Sequence, residues 1–202
     1  MEIGTRSNTF FYIRSCLESF LKREPIPTPP VDLDWEELFA MLRQQRLVGF
    51  FASKSKQANK IWPVAFIEKL RHVRYPAIIL GDAYLAELER VLAAFRTQNI
   101  PTIILKGWAI IKELYEGDPS QRIYSDVDLL VSPATLQKSI EVLIGLGYIP
   151  NNEPHPGFYQ RYAIHLSFHA PEPLPFSSTR VVIELHWKLM HVPYFNKFID
   201  IQ

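Results

Sequence analysis

The sequence predicts an α+β chain, with a helical region over residues 1–98 followed by a core over 99–202 built on a small mixed sheet. Two observations predict it. Up to about residue 98, apolar side chains recur at steps of three and four, the period of a helix with one buried face. From Pro101 onward, short β-branched runs take over, bounded by Gly and Pro: Thr102 to Leu105, Val127 to Val131 and Arg180 to Trp187.

The elements follow in order. Residues 7 to 23 are predicted as an amphipathic helix, with Phe11, Cys16, Phe20 and Leu21 among its apolar positions. Pro25, Pro27, Pro29 and Pro30 cannot continue a helix and read as a stiff linker. Asp34 opens the next helix, with Glu37 three residues on as capping-box partner and Leu38, Met41, Leu42 and Leu47 at helical spacing. Two further helices are predicted over about 63–74 and about 76–98, the second carrying Leu85, Leu88, Leu92 and Phe95. Thr102 to Leu105 is a short buried strand, Ala109 to Tyr115 a helix and Val127 to Val131 a strand. Ser132 and Pro133 suit the N-cap and first turn of a helix that runs to about Leu143 and stops near Gly145 and Gly147. Tyr162 to Phe168 and Arg180 to Trp187 read as antiparallel strands across a loop holding Pro171, Pro173 and Pro175. No internal repeat or low-complexity tract interrupts this order.

Composition excludes several classes. A chain with 48% hydrophobic and 21% charged residues is globular rather than disordered. A formal net charge of +1 argues against a general nucleic-acid binder, and nothing points to duplex binding. No segment reaches about 18 continuous apolar residues, so no membrane-spanning helix is expected. Glu2, Arg6, Arg14 and Glu18 break up any signal-peptide core. The single cysteine, Cys16, cannot form an internal disulfide and reads as a buried helix residue, which fits a reducing compartment. A soluble, cytoplasmic protein is the expectation.

The chemistry concentrates in Ser125-Asp126-Val127-Asp128. Carboxylates two residues apart leave one face of an otherwise apolar strand. Like charges side by side at the edge of a core are costly without a cation between them. Oxygen ligands suit a hard divalent ion, Mg²⁺ when phosphates complete its shell. A bare Asp-x-Asp also arises as a solvated strand entrance. The context argues for more, because Val181 to Trp187 is a second apolar run with one acid, Glu184, in its middle. An isolated Glu there is expensive to bury without a partner, which makes it the candidate third metal ligand.

The histidines compete for attention. His165 and His169 share a strand face, and His186 shares one with Glu184. A zinc site could be drawn from that spacing, but no Cys ligand accompanies it, and a structural or substrate-contact role is the preferred reading. The four tryptophans, among them Trp108, are read as core packing, with stacking of Trp108 or Tyr124 on a base as the alternative.

Lys106-Gly107, the helix from Trp108 to Tyr115, Arg122, Asp126-Val-Asp128-Leu-Leu-Val and Glu184-Leu-His186-Trp187 together resemble the uncharacterised nucleotidyltransferase family of the DNA polymerase beta superfamily. The looser pattern of Lys-Gly, Arg, Ser and Asp-x-Asp is also similar to abortive-infection toxin nucleotidyltransferases. The likeness runs from about Asp34 to about Met190. It implies a polymerase beta-like core that moves a nucleoside monophosphate from a nucleoside triphosphate (NTP) to an unidentified hydroxyl of a small molecule, RNA or protein. It implies two Mg²⁺ ions on Asp126, Asp128 and Glu184, with Lys106, Gly107, Arg122 and Ser125 around the nucleotide. The chain departs from the superfamily where Lys106-Gly107-Trp108 replaces Gly-Ser and where the connection from Gly107 to Asp126 is long. Lys106 is then either a point charge on the phosphates or a solvated strand-end residue. Arg122 is either a phosphate clamp or a structural ion pair. A degenerate nucleotide-binding or regulatory module is the alternative to an active enzyme. The tail from Phe198 to Gln202 closes without a helical unit, as a short member or a fragment of such a family would.

Overall fold

The computed structural model describes residues 8–122, 125–151, 163–175 and 177–189. Tyr124, Tyr162 and the tail from Phe198 lie outside the described residues. Packing separates two compact units, Met1–Ile78 with Ser120–Ile123, and Ile79–Pro119 with Tyr124–Gln202. The expected division falls after residue 98, whereas packing places Ile79–Pro119 with the sheet.

The first unit contains α1 (Asn8–Lys22), α2 (Trp35–Gln44), α3 (Val48–Lys54) and the start of α4 (Val64–Thr97). The buried stripe of α1 runs through Thr9, Tyr12, Ile13 and Cys16, while Phe11 and Leu21 are exposed. Burial pushes the Cys16 thiol up to about 11, which leaves it unreactive at neutral pH. Asp34 caps α2, accepting from the backbone N–H groups of Glu36 and Glu37 at 2.8 and 3.1 Å. Glu37 accepts from the Thr9 hydroxyl at 2.5 Å, which ties α2 to α1. Trp62 stacks on Phe51 and donates to the Tyr12 hydroxyl at 2.9 Å, and Tyr12 donates to the Pro27 carbonyl at 3.1 Å. The proline linker is thereby held against the helices.

In place of the two helices expected at 63–74 and 76–98 there is one, α4, with Pro76 inside it. An interior proline forgoes one backbone hydrogen bond at a cost of about 3 kcal/mol. The helix continues because side chains on both sides of the proline are buried, Leu70 and Ala77 before residue 78 and Tyr84, Leu88, Val91 and Phe95 after it.

The second unit is an α+β core around a five-stranded mixed sheet of order β1-β2-β5-β4-β3. Its strands are β1 (Thr102–Ile104), β2 (Val127–Val131), β3 (Ile149–Pro150), β4 (His165–Pro173) and β5 (Arg180–His186). β2 and β5 run parallel and the other pairs antiparallel. Every residue of β2 is buried, Asp128 included. Such two-sided burial explains why the strand reads as a continuous apolar run apart from that acid. Pro171 and Pro173 fall in β4, not in the loop expected around them. A register shift between His169 and Pro173 accommodates residues that cannot donate to the ladder.

The helix expected from Ala109 to Tyr115 is two short turns, α5 (Lys106–Ala109) and α6 (Ile111–Leu114). The helix expected from Ser132 begins later, as α7 (Leu136–Gly145). Ser132 instead closes a turn, its hydroxyl oxygen accepting from the Thr135 N–H at 3.3 Å. The far end of α7 matches the expectation. Gly147 takes φ 86°, with Tyr148 N–H bonded to Leu143 O and Gly147 N–H to Ile144 O. Arg90 of α4 anchors this end, donating to Leu146 O at 3.2 Å and pairing with Glu87, which also accepts from the Tyr148 hydroxyl. Gly145 has open space where a Cβ would stand. Gly145→Ala should therefore stabilise the protein by about 0.5–1 kcal/mol, seen as a higher urea midpoint with an unchanged slope.

No helix among the described residues is long and apolar enough to cross a membrane.

Candidate active site

The site is assembled on the two central strands and β4. In the parallel β2–β5 ladder Asp128 is the register partner of Glu184, and Leu130 that of His186. Across the antiparallel β4–β5 ladder Ser167 faces Glu184 and His165 faces His186. Register partners share a face and so do residues two apart on a strand. Asp128, Glu184, His186 and His165 therefore project from one face of the sheet.

Their contacts are tight. The His186 Nε2–H donates to Asp128 Oδ1 at 2.9 Å and lies 3.5 Å from Glu184 Oε2. His165 Nε2 is 3.9 Å from Glu184 Oε1. The Lys106 ammonium pairs with Asp128 Oδ1 and stands 3.8 Å from Glu184 Oε2. Asp128 is 2% exposed and the Lys106 side chain 60%, so the carboxylate is the fixed partner and the lysine the movable one. This arrangement answers the cost of two acids on adjacent strands, since one cation and one imidazole donor already face them.

The electrostatics follow. Burial works against the Asp128 carboxylate, but hydrogen bonds from His186 and Lys106, and their charges, hold it below the usual range. Partial burial works against the Lys106 charge too. The hydrogen bond to Asp128 and the charges of Asp128, Glu184 and Asp126 raise it above its ordinary value. Burial lowers His165, opposed by the Glu184 and Asp128 carboxylates and helped by His186 and Lys106. Among the described residues the buried His165 Nδ1 has no hydrogen-bond partner.

The motif loop is pinned from below. Asp126 stands one residue ahead of β2, and its backbone carbonyl accepts from Trp108 Nε1 at 2.9 Å. Trp108 is buried and stacked on Tyr84, ring centroids 5.7 Å apart. Tyr84 in turn donates to the Ser125 carbonyl at 3.0 Å. The Ser125 hydroxyl donates to Asp126 Oδ2 at 3.3 Å. Trp108 is thus packing, as its residue type suggests, but with its indole N–H committed to the motif backbone. Tyr84 has no sequence signal that separates it from the apolar stripe of α4.

The chain turns sharply at Lys106, not at the glycine that follows it. Lys106 itself takes φ 52°, and Gly107 is a residue of α5. A left-handed lysine costs about 1–2 kcal/mol, a local strain that sets its ammonium over the carboxylates. Arg122 is half-buried and belongs to the first compact unit. His169 lies in β4, as its spacing from His165 suggests, but its imidazole pairs with Asn151 at 2.7 Å, away from the acids.

The donor set fits a divalent ion chemically. Asp128 and Glu184 offer oxygen ligands and share one cationic partner, and Asp126, one residue ahead of β2, acts on Lys106 through its charge. Among the described residues the side chains that converge on one ligand position are His165, Glu184 and His186. A family model described as an uncharacterised nucleotidyltransferase matches residues 32–201. No curated protein and no solved structure matches the chain.

Proposed function

The chain belongs to the uncharacterised nucleotidyltransferase family, and from that premise we propose a Mg²⁺-dependent transfer of a nucleoside monophosphate from an NTP to a hydroxyl-bearing acceptor. The observation that carries this reading is the register pairing of Asp128 with Glu184 on the parallel central strands, with Asp126 at the strand entrance.

Asp126, Asp128 and Glu184 would hold two Mg²⁺ ions, whose bound charge would neutralise the phosphates and acidify the attacking hydroxyl. In the reaction the acceptor oxygen bonds to the α-phosphorus, the bond to the bridging oxygen breaks, and pyrophosphate leaves. Glu184, less buried than Asp128, takes the hydroxyl proton. Lys106 follows the charge that develops on pyrophosphate, for which its exposed, movable ammonium is suited. Asp128 stays ionised throughout, held by His186. Ser125 enters through its place in the motif, as a phosphate-binding group. A cytoplasmic location, where NTPs are abundant, completes the proposal.

Lys106→Ala should raise the NTP KM about 10–100-fold, the loss of a charge-assisted contact of about 1.5–3 kcal/mol. Lys106→Arg should recover only part of this, because a planar fork and a point charge fit phosphates differently. An unchanged KM in Lys106→Ala would reduce the lysine to a partner of the acids.

A second reading has one observation in its favour. Lys106 reaches both Asp128 and Glu184, as an internal cation would in a degenerate, regulatory relative. Transfer assays separate the two. NTPs labelled at the α- or γ-phosphate are offered with small hydroxyl compounds, RNA and protein in turn. Nucleotidyl transfer moves α-label and never γ-label to one acceptor class. Transfer of γ-label would contradict the reaction, and absence of either label from every class would favour the degenerate module.

A further inference from the structure

We infer that His165, Glu184 and His186 form a two-imidazole, one-carboxylate site that takes a divalent transition-metal ion in preference to Mg²⁺. The inference deepens the metal-dependent reading above and rests on it for the ion's role in the reaction, while the binding itself can be measured alone.

The geometry comes first. One ligand atom from each of the three side chains lies within 4.8 Å of the other two. His186 Nε2 is 3.5 Å and His165 Nε2 3.9 Å from the nearer oxygens of Glu184. Bonds of about 2.0–2.2 Å to one tetrahedral ion place its ligands roughly 3.4 Å apart. The ligand atoms thus stand within about 1.4 Å of the separation that one ion would set. Two of the ligands stand two residues apart on β5, and the third is the direct register partner of His186 on β4. Sheet pairing thus fixes all three before any ion arrives, a precision that loops rarely give. Among the described residues no other group of three His, Cys, Asp or Glu side chains converges in this way.

Ligand chemistry then sets the preference. Mg²⁺ favours an all-oxygen shell and gives up water reluctantly. Imidazole nitrogen suits Co²⁺, Ni²⁺ and Zn²⁺, and two His with one carboxylate is a ligand set that leaves positions open for substrate. Taking the ion at Nε2, His186 gives up the proton that it otherwise donates to Asp128, and the Asp128 oxygen 2.9 Å away can then join the ion's shell. The two metal positions of the site would then differ in kind, one oxygen-rich and one nitrogen-rich.

Co²⁺ titration followed by visible absorption reads the site without nucleotide or turnover. Wild-type protein should bind one Co²⁺ per chain with a spectrum of nitrogen–oxygen ligation, displaced by equimolar Zn²⁺ and not by a large excess of Mg²⁺. His165→Ala and His165→Asn should each weaken Co²⁺ binding by more than about tenfold, since even supporting residues around a metal commonly matter that much. His165 is half-buried, and circular dichroism and melting confirm that both variants fold. Asp126→Asn should keep Co²⁺ binding while losing the Mg²⁺-dependent response to NTP. Wild-type Co²⁺ affinity in both His165 variants, displacement by Mg²⁺, or failure to bind Co²⁺ at all would overturn the site. Intact Co²⁺ binding without nucleotidyl transfer would overturn the proposed reaction and leave the site standing.

Discussion

Asp128→Asn should lower Mg²⁺-dependent nucleotidyl transfer by about 10²–10³-fold or more, the scale on which one preorganised electrostatic partner acts. The carboxylate is the most buried of the three acids and the one that Lys106 and His186 both address. Asparagine keeps the shape and one acceptor oxygen, so folding should be retained and the loss should appear in kcat/KM. The same variant should also change the dependence of stability on pH. Burial of Asp128 opposes its charge, yet its two donors hold the carboxyl below its ordinary value. A lowered folded-state value means that this stabilisation is complete above the unfolded carboxyl value of about 4 and is lost as pH falls through the lowered one. Melting curves of the wild type should therefore decline on the acid side more steeply than those of Asp128→Asn. Parallel pH profiles would show that the pairing contributes nothing to folding.

Gly49→Ala should destabilise the first unit by about 3 kcal/mol or more, the upper range for overpacking. A Cβ on Gly49 would meet the Ser120 carbonyl oxygen at 2.2 Å and the Gln121 carbonyl oxygen at 2.8 Å. Both are backbone atoms, which cannot rotate aside as a side-chain tip would. α3 approaches the 119–121 turn this closely because residue 49 has no side chain. Thermal melting should show a drop of several degrees, against the small rise expected for Gly145→Ala. An unchanged melting temperature would mean that the 120–121 backbone yields at little cost.

Much of this was legible in the sequence, and the gaps have physical causes. β2 and β5 stand out because each is an apolar run interrupted by an acid, a pattern that burial makes expensive and therefore informative. The α+β class follows from the change of period near Pro101. The helix α7 starts at Leu136 and not at Ser132 because Ser132 and Thr135 form a turn of their own, using the same residue types that cap helices. α4 runs through Pro76 because burial on both flanks outweighs a local penalty that spacing rules count in full. At the site, residue types name Asp126, Asp128 and Glu184 as candidates. The position of His165 opposite His186 depends on the register between β4 and β5, which is shifted between His169 and Pro173 and which spacing along one strand cannot supply. The backbone turn at Lys106 was hidden for a related reason. Glycine next door is the residue usually assigned a positive φ, whereas here the lysine adopts it and reaches the acids.

Calorimetric titration of nonhydrolysable NTP analogues, with and without Mg²⁺, tests the central claim most directly. At least one analogue should bind wild-type protein only when Mg²⁺ is present, and Asp126→Asn and Asp128→Asn should lose this binding while melting cooperatively. Binding that ignores Mg²⁺, or that persists unchanged in both variants, would contradict it.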